Sequence, residues 1–379
     1  MGTTQVLNVV NTVFELYYLS SVGYLLQRAE PGVSLRLLTR PEVAVKLNPE
    51  LSALYTTVQT INFPSISGQP LKDMANSLRF RRQLERINLS PEIVCISSFR
   101  EYFSNILCRY MRGCPRLVAL RMADEETDLT CHIKKPLRSL YPNLFNCLFG
   151  ASTMEYRWHS KTAFTYAYWF KRNPYHQTIS ISDWGHGQDG EKLFRLPPPF
   201  PALRQYYGMN RTAELRRPAI LLIGERTPLF ETWDAKAQSL YESVFDFIRQ
   251  NFDGYQLLYR PRAGLTDIDK VKPLLKGFSV MSADVPLEEL CLRNTYSKVI
   301  SVKSTASKVA AYCGQPAYVL YPMFDFPVEV RGTLDAYLGD MRGVVKACDL
   351  NELLYGCQPM PSPDINQLSA LYAEVILGR

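Results

Sequence analysis

The chain has 379 residues, 46% of them hydrophobic, and carries 43 basic against 36 acidic side chains for a net charge of +7. Its length exceeds the roughly 250–300 residues that a single core holds, which predicts two domains, and its composition is that of a folded globular protein. The small basic excess favours anionic ligands or a membrane surface and makes no case for nucleic acid, because no basic run is interleaved with aromatics.

The opening MGTTQVLNVVNTVF lacks the basic start and long apolar core of a secretory signal. No later segment approaches the ~20 apolar residues of a membrane span. A soluble cytoplasmic protein is expected, with peripheral contact at the inner face of the membrane as an open alternative. Nine scattered cysteines lack the close pairs of a zinc site, and His132, His159, His176 and His186 show no helical His/Glu spacing. Reduced, packing thiols and no metal are expected.

Residues 5–10 read as a first strand, Asn11 and Thr12 as its turn, and Phe14, Leu16, Tyr17, Val22 and Leu25 as a face of the next helix. Strand-like runs recur at 34–38, 93–97, 117–122 and 178–181 with helical stretches between, which predicts parallel crossover units. In LRFRRQLERINL, Arg79, Arg81, Arg82 and Arg86 form a solvated helix face, with Leu78, Leu84 and Ile87 turned inward. Three consecutive prolines without periodicity predict a linker at 196–217. It divides a domain at 1–195 from one at 218–379, whose last helix can pack back on the first.

The second domain opens with a strand at 219–223 that ends in Gly224 and Glu225. Trp233, Ala237, Leu240, Tyr241, Val244, Ile248 and Phe252 follow at helical spacing. A strand at 256–259 stops in Arg260, Pro261 and Arg262, since proline cannot donate to a ladder. After a strand at 279–281 comes ADVPLEELCL, and then VISVKSTASKVAAYCGQPAYVLYP at 299–322. This last stretch reads as a strand, a Ser/Thr turn, a helix of small residues stopped by Gly314 and Pro316, and another strand. Ser304 or Thr305 is expected to cap the helix, whose start beside a strand's carboxyl end suits a phosphate. An amphipathic helix at 366–377 closes the chain through Leu368, Leu371, Tyr372, Val375 and Ile376.

Four short motifs carry chemistry. Asp124 and Glu125, with Glu126, follow the strand 117–122, where a carboxylate can take a proton from a hydroxyl; an exposed acidic turn capping a helix fits as well. Arg260 with Pro261 can grip a phosphate, and Glu288 in VPLEEL can accept two hydrogen bonds from ribose hydroxyls. Ser304 and Thr305 can hold the same phosphate. Gly224, closing its strand, and Asn11, at the first turn, join the donor-binding set. Asp183 in DWGHG is a rival carboxylate, and Asp267-Ile-Asp269 resembles a metal-binding DxD although it begins a helix.

Two Rossmann-like lobes with these motifs in this order resemble the bacterial sialyltransferase and polysialyltransferase superfamily. That superfamily has the α/β GT-B fold, with a ligand cleft between the lobes. The matching stretches are ADEET at 123–127, YRPR at 259–262, VPLEEL at 285–290 and KST at 303–305. They stand for the family's acidic D/E-D/E-G, His-Pro, Pro-x-Glu and Ser-Ser/Thr motifs. The likeness covers most of the chain, including NVVNTVFEL and LLIGERTPLFE. It implies an inverting, metal-independent transfer of sialic acid from CMP-sialic acid to a glycan acceptor, with the CMP-sugar as substrate and no cofactor. Domain 1–195 is then the acceptor side and domain 218–379 binds the nucleotide donor.

The resemblance makes Asp124 the general base, with Glu125 its neighbour and competitor. It makes Arg260 the catalytic contact to the CMP phosphate, places Glu288 on the ribose, and sets Ser304 and Thr305 on the phosphate from the other side. Glu126 stands where the family has Gly, and Arg260 where it has His. A guanidinium stays protonated, so it stabilises charge without donating a proton. This leaves open a related transferase using CMP-Kdo or CDP-glycerol, and a nucleotide- or glycan-binding homologue without catalysis.

Overall fold

The computed structural model describes residues 3–87, 89–98, 101–121, 140–151, 154–158, 166–170, 174–181, 192–209, 217–225, 233–262, 271–338, 341–361 and 363–378. The chain divides into two compact units, Met1–Ala202 with Pro363–Arg379, and Leu203–Ser362.

In the first unit the elements run β1 (Thr4–Val10), α1 (Val13–Ala29), β2 (Val33–Thr39), α2 (Pro41–Ala44), α3 (Pro49–Ala53), β3 (Thr57–Thr60), α4 (Pro70–Ile87), β4 (Ile93–Ile96) and α5 (Tyr102–Tyr110). They continue with β5 (Arg116–Arg121), α6 (Leu140–Phe149), the hairpin β6 (Met154–Trp158) and β7 (Tyr166–Phe170), β8 (Gln177–Ser180), β9 (Leu193–Arg195) and the start of α7 (Phe200–Met209). Among the described residues the main sheet has seven strands in the order β3-β2-β1-β4-β5-β8-β9, every pair parallel. β4 is buried along its whole length and β1 almost so, because crossover helices cover both faces; this is why they read as nearly unbroken apolar runs.

Thr12 and Glu15 open α1 with a capping box. The Thr12 hydroxyl accepts from the Glu15 N–H at 3.3 Å, and the Glu15 carboxylate accepts back from the Thr12 N–H at 3.3 Å. α4 turns Asp73, Ser77, Phe80 and Leu84 inward, a stripe at i, i+4, i+7 and i+11, with Ile87 partly buried against the same core. Leu78, expected on that face, lies off the stripe and is 40% exposed, and Phe80 takes its place against Phe63. The arginines of this helix are exposed, and Arg81 pairs with Glu85 at 3.1 Å.

The stretch expected as a linker at 196–217 carries α7. Proline in a first helical turn forfeits no hydrogen bond, so Pro199 and Pro201 start this helix where they were read as breaking order. The Phe200 ring lies 5.5 Å from that of Phe14 and 5.8 Å from that of Tyr18.

The second unit follows with β10 (Ala219–Ile223), α8 (Ala235–Asn251), β11 (Gln256–Arg260), β12 (Ser279–Val280), α9 (Leu287–Arg293), β13 (Lys298–Ser301), α10 (Ala306–Tyr312), β14 (Ala317–Val319), α11 (Val328–Leu338) and β15 (Val344–Lys346). Among the described residues its sheet has six strands in the order β12-β11-β10-β13-β14-β15, again all parallel. α8 lays Tyr241, Val244, Phe245 and Ile248, spaced at i, i+3, i+4 and i+7, onto Ile220, Leu222, Tyr259 and Ile300. Each such side chain contributes roughly 1.5–3 kcal/mol by leaving water. Gly314 ends α10 in the left-handed region at φ 75°, and its N–H reaches back to Ala311 O at 2.8 Å.

The last helix, α12 (Ile365–Leu377), belongs to the first unit and packs on α1. The Arg28 guanidinium donates to Asn366 Oδ1 at 2.9 and 3.3 Å, the Tyr372 hydroxyl donates to Pro197 O at 2.9 Å, and Arg116 donates to Ile376 O at 2.7 Å. Among the described residues no helix is long and apolar enough to cross a membrane.

Candidate functional site

Along the second unit's sheet the strands stand in the order third, second, first, fourth, fifth, sixth of the unit. The winding reverses between β10 and β13. In sheets of this kind the crossovers leave both sides of that reversal open at the carboxyl ends, which makes it the place where ligands bind. Gly224 and Glu225 follow β10 there, Arg260 ends β11 before Pro261 and Arg262, and Val302, Lys303, Ser304 and Thr305 follow β13. Arg260 and Ser304 therefore follow the two strands that flank β10.

Arg260 is 8% exposed, not the surface arginine that a strand end usually carries. Its Nη2 donates to Val285 O at 2.8 Å, which ties the strand end to the loop before α9. Nε–H is buried and has no acceptor among the described residues. Glu288, in the first turn of α9, is also 8% exposed, so it too is not a solvated helical glutamate. Burial pushes the Glu288 carboxyl up from its usual range, while its own backbone N–H and the Arg260 charge pull it back. Burial likewise lowers the Arg260 pKa, opposed by Glu288. The two are buried opposite charges that influence each other, and the Arg260 Nε–H is left without an acceptor among the described residues. Pro261 is partly exposed and marks the end of the ladder.

Beyond β13, Ser304 is buried and its Oγ accepts from the Ala306 N–H at 3.2 Å, leaving the hydroxyl hydrogen for another acceptor. Thr305 occupies the N-cap position in helical conformation, φ −56° and ψ −16°, with no side-chain cap bond, and it is exposed. Of the two expected caps, Ser304 alone engages the helix. α10 spans seven residues, about two turns, so its dipole supplies less of a phosphate field than a long helix does. The hydroxyls and cations carry more of that task.

Glu225 was passed over as the end of a strand, and it organises this edge. It is 2% exposed, and its Oε1 accepts from the N–H groups of Val302 at 2.9 Å and Lys303 at 3.1 Å. Oε2 is buried with no partner among the described residues. Burial pushes this carboxyl up; the Lys303 and Val302 N–H groups, then the charges of Lys303 and Arg262, pull it down. Gly224 beside it has a packing reason. A Cβ there would collide with the Tyr259 hydroxyl, 2.9 Å from Tyr259 Cζ and 3.3 Å from Arg260 O. Gly224→Ala is expected to cost about 1–3 kcal/mol of stability through overpacking. An unchanged urea midpoint would show that Tyr259 can step aside.

The first unit repeats the strand order, with its reversal between β1 and β4. Asn11 stands at the end of β1, its N–H donating to Glu15 Oε2 at 2.6 Å and its Oδ1 buried without a partner among the described residues. Ser98, after β4, donates to the other Glu15 oxygen. Glu15, 7% exposed and pushed up by burial, thus braces this edge as Glu225 braces the other. Its signal was legible in the Thr12-x-x-Glu15 spacing. Asn11 therefore lies in a different unit from Arg260, Glu288, Ser304, Thr305 and Gly224, which the second unit brings to one sheet edge. Asp124, Glu125 and Glu126, with Asp183, Asp267 and Asp269, lie outside the described residues.

No family model matches the chain, and no curated protein sequence does either. Solved structures do. A UDP-GlcNAc 2-epimerase from Neisseria meningitidis, bound to UDP-GlcNAc, aligns over 99% of this chain and 100% of its own at TM-score 0.51 and 11% identity. The glycotransferase of kitacinnamycin aligns over 99% of this chain and 93% of its own at TM-score 0.52 and 13% identity. With its two parallel Rossmann-like sheets and these likenesses, the chain has the GT-B fold.

Proposed function

We propose that the protein is a sugar-nucleotide-dependent glycosyltransferase whose second unit holds the donor. One observation carries this reading: at the reversal of the second sheet, a buried guanidinium with an unused Nε–H stands on one side of β10 and Ser304 and Thr305 stand on the other. Arg260 and the two hydroxyls would grip the leaving phosphate from opposite sides, and Glu288, next to Arg260, would take the ribose hydroxyls. Fixed donors aimed at a departing phosphate neutralise the charge that develops there, so the transfer is proposed to need no metal.

In its finer form the donor is CMP-sialic acid and the acceptor a glycan hydroxyl. Asp124, with Glu125 beside it, deprotonates that hydroxyl, and the hydroxyl attacks the anomeric carbon with inversion as CMP leaves. The order ADEET, YRPR, VPLEEL, KST supports this form. Asp124→Asn with Glu125→Gln is expected to reduce transfer by about 10²–10⁴-fold, the usual contribution of a general base. Affinity for the nucleotide, read by calorimetry, should stay within error. Undiminished turnover in that variant sinks the assignment.

A panel of CMP-sialic acid, CMP-Kdo, CDP-glycerol and UDP-GlcNAc identifies the donor. Inversion at C2 of UDP-GlcNAc without transfer would instead favour an epimerase, the activity named for one protein of like fold. Binding of CMP with no turnover of any donor would favour the non-catalytic homologue.

A further inference from the structure

Helix α4 carries a second apolar stripe. The inner one, which includes Phe80 and Leu84, packs on the core of the first unit, whereas Leu71, Met74, Ala75 and Leu78, at i, i+3, i+4 and i+7, are all exposed. Leu71 is 79% exposed, Met74 44% and Leu78 40%. Apolar side chains scattered singly over a surface need no account. Four at helical spacing on the solvent side do, because that side of a surface helix is ordinarily polar.

The free charge of α4 is all positive. Lys72, Arg79, Arg82 and Arg86 are exposed and make no hydrogen bond or ion pair to any described residue. Both acids of the helix are spent. Asp73 is buried and accepts from the Ser67 N–H at 2.9 Å, the Ser67 hydroxyl at 2.6 Å and the Gly68 N–H at 3.1 Å. Glu85 pairs with Arg81 at 3.1 Å. At about 100° per residue, Lys72, Arg79 and Arg86 run along one border of the apolar stripe, and Arg82 follows Leu78 one turn on.

A polyanion in water would use the cations and leave the leucines idle. A protein partner needs ~800 Å² from each side of a stable interface, far more than four side chains supply. An anionic bilayer uses both sets at once, taking the apolar stripe at the acyl boundary and the cations among the headgroup phosphates.

We propose that α4 docks the first unit on an anionic lipid bilayer, with the helix lying in the plane of the headgroups. Leu71, Met74 and Leu78 enter the interface, and Lys72, Arg79, Arg82 and Arg86 meet the lipid phosphates. The inner face of α4 stays on the core, so the contact is peripheral and reversible. The proposal stands apart from the donor reading, since no sugar nucleotide enters it.

The test is co-sedimentation of the full chain with vesicles of phosphatidylcholine alone, and with vesicles of equal parts phosphatidylcholine and phosphatidylglycerol. The wild type is expected to bind the anionic vesicles at least about 100-fold more tightly, each basic side chain near such a surface giving roughly fivefold. Arg79→Gln with Arg82→Gln and Arg86→Gln should cost about 100-fold on the same basis. Leu71→Ser with Leu78→Ser should weaken binding by about tenfold or more. All of these positions are exposed, so the urea midpoint is expected to hold. Leu71→Trp offers a reading that does not depend on weakening anything: its added emission, taken as the difference from the wild type, should shift to the blue on anionic vesicles.

No binding to anionic vesicles, or equal binding to neutral ones, overturns the proposal. Binding that survives the glutamine substitutions overturns it by placing the lipid contact elsewhere on the chain. Binding lost with the arginines but untouched by the serines, with no blue shift in Leu71→Trp, gives this face to a soluble polyanion. A concentration-dependent dimer of the wild type that the serine substitutions dissolve gives it to a second copy of the chain.

Discussion

Arg260→Ala is expected to destabilise the second unit by about 1–3 kcal/mol at pH 8, because Val285 O loses its donor and the buried Glu288 carboxylate loses the positive charge that acts on it. Glu288, 8% exposed, would then lose the cation that holds its carboxyl down. The cost should shrink as pH falls. Burial already pushes the Glu288 carboxyl up, and losing Arg260 removes one of the influences that pull it down, so the acid takes a proton more readily and the unpaired charge disappears. Urea denaturation at pH 5 and pH 8 reads this directly. A cost that is equal at both values, or absent, means that the two groups are not coupled. Arg260→Met with Glu288→Leu should recover most of the stability, because apolar replacement of both partners is often neutral. If Arg260 grips the donor phosphate as proposed, nucleotide binding should stay lost in both variants.

Glu225→Ala should have an effect of similar size by a different route. Two buried N–H groups, those of Val302 and Lys303, lose their acceptor, at about 1–3 kcal/mol for each donor. The amides of Val302 and Lys303 should then exchange with deuterium much faster, and the turn that carries Ser304 should loosen. Glu225→Gln keeps an acceptor oxygen and should hold those amides. It also changes the pH dependence. The folded-state pKa of Glu225 is raised above its ordinary 4.5, so the stability linked to its proton is fully present below pH 4.5 and is lost as pH rises through the folded value. Glutamine does not titrate. The stability of the wild type relative to Glu225→Gln should therefore fall as pH climbs above 4.5. Taking the difference matters, because burial raises Glu15 and Glu288 in the same direction. A flat difference curve would falsify the assignment of a buried, unpartnered Oε2.

Much of the fold was legible because doubly covered parallel strands leave a plain trace. Apolar runs such as VLNVV, IVCI and AILLI, each followed by helical spacing, were enough to place the centre of both sheets. The edges left no such trace. β3, TVQT, is largely exposed, and β15 is three half-buried residues, so neither shows burial in its composition. α7 was hidden by prolines that suit a first turn as well as a linker.

At the site, strand ends and turn residues were readable, which is why Arg260, Ser304 and Gly224 could be named. Burial was not. A glutamate after an apolar strand is most often solvated, and what encloses Glu225 are N–H groups some 77 residues away, just past the end of the neighbouring strand. Such a contact exists only once β10 and β13 are paired. The acidic motif at 123–127 lies beyond the described residues, and its role rests on the sequence resemblance.

The placement of α12 bears on how the molecule is made. The first unit takes its last helix from residues that follow the whole of the second unit. On the ribosome, α1 emerges long before α12 and waits without its partner while every strand from β10 to β15 is synthesised. The second unit, contiguous in sequence, can close as soon as it leaves the exit tunnel. The unit that begins first thus cannot be complete until the second has been synthesised, and the bonds from Arg28 to Asn366 and from Arg116 to Ile376 can form only after that.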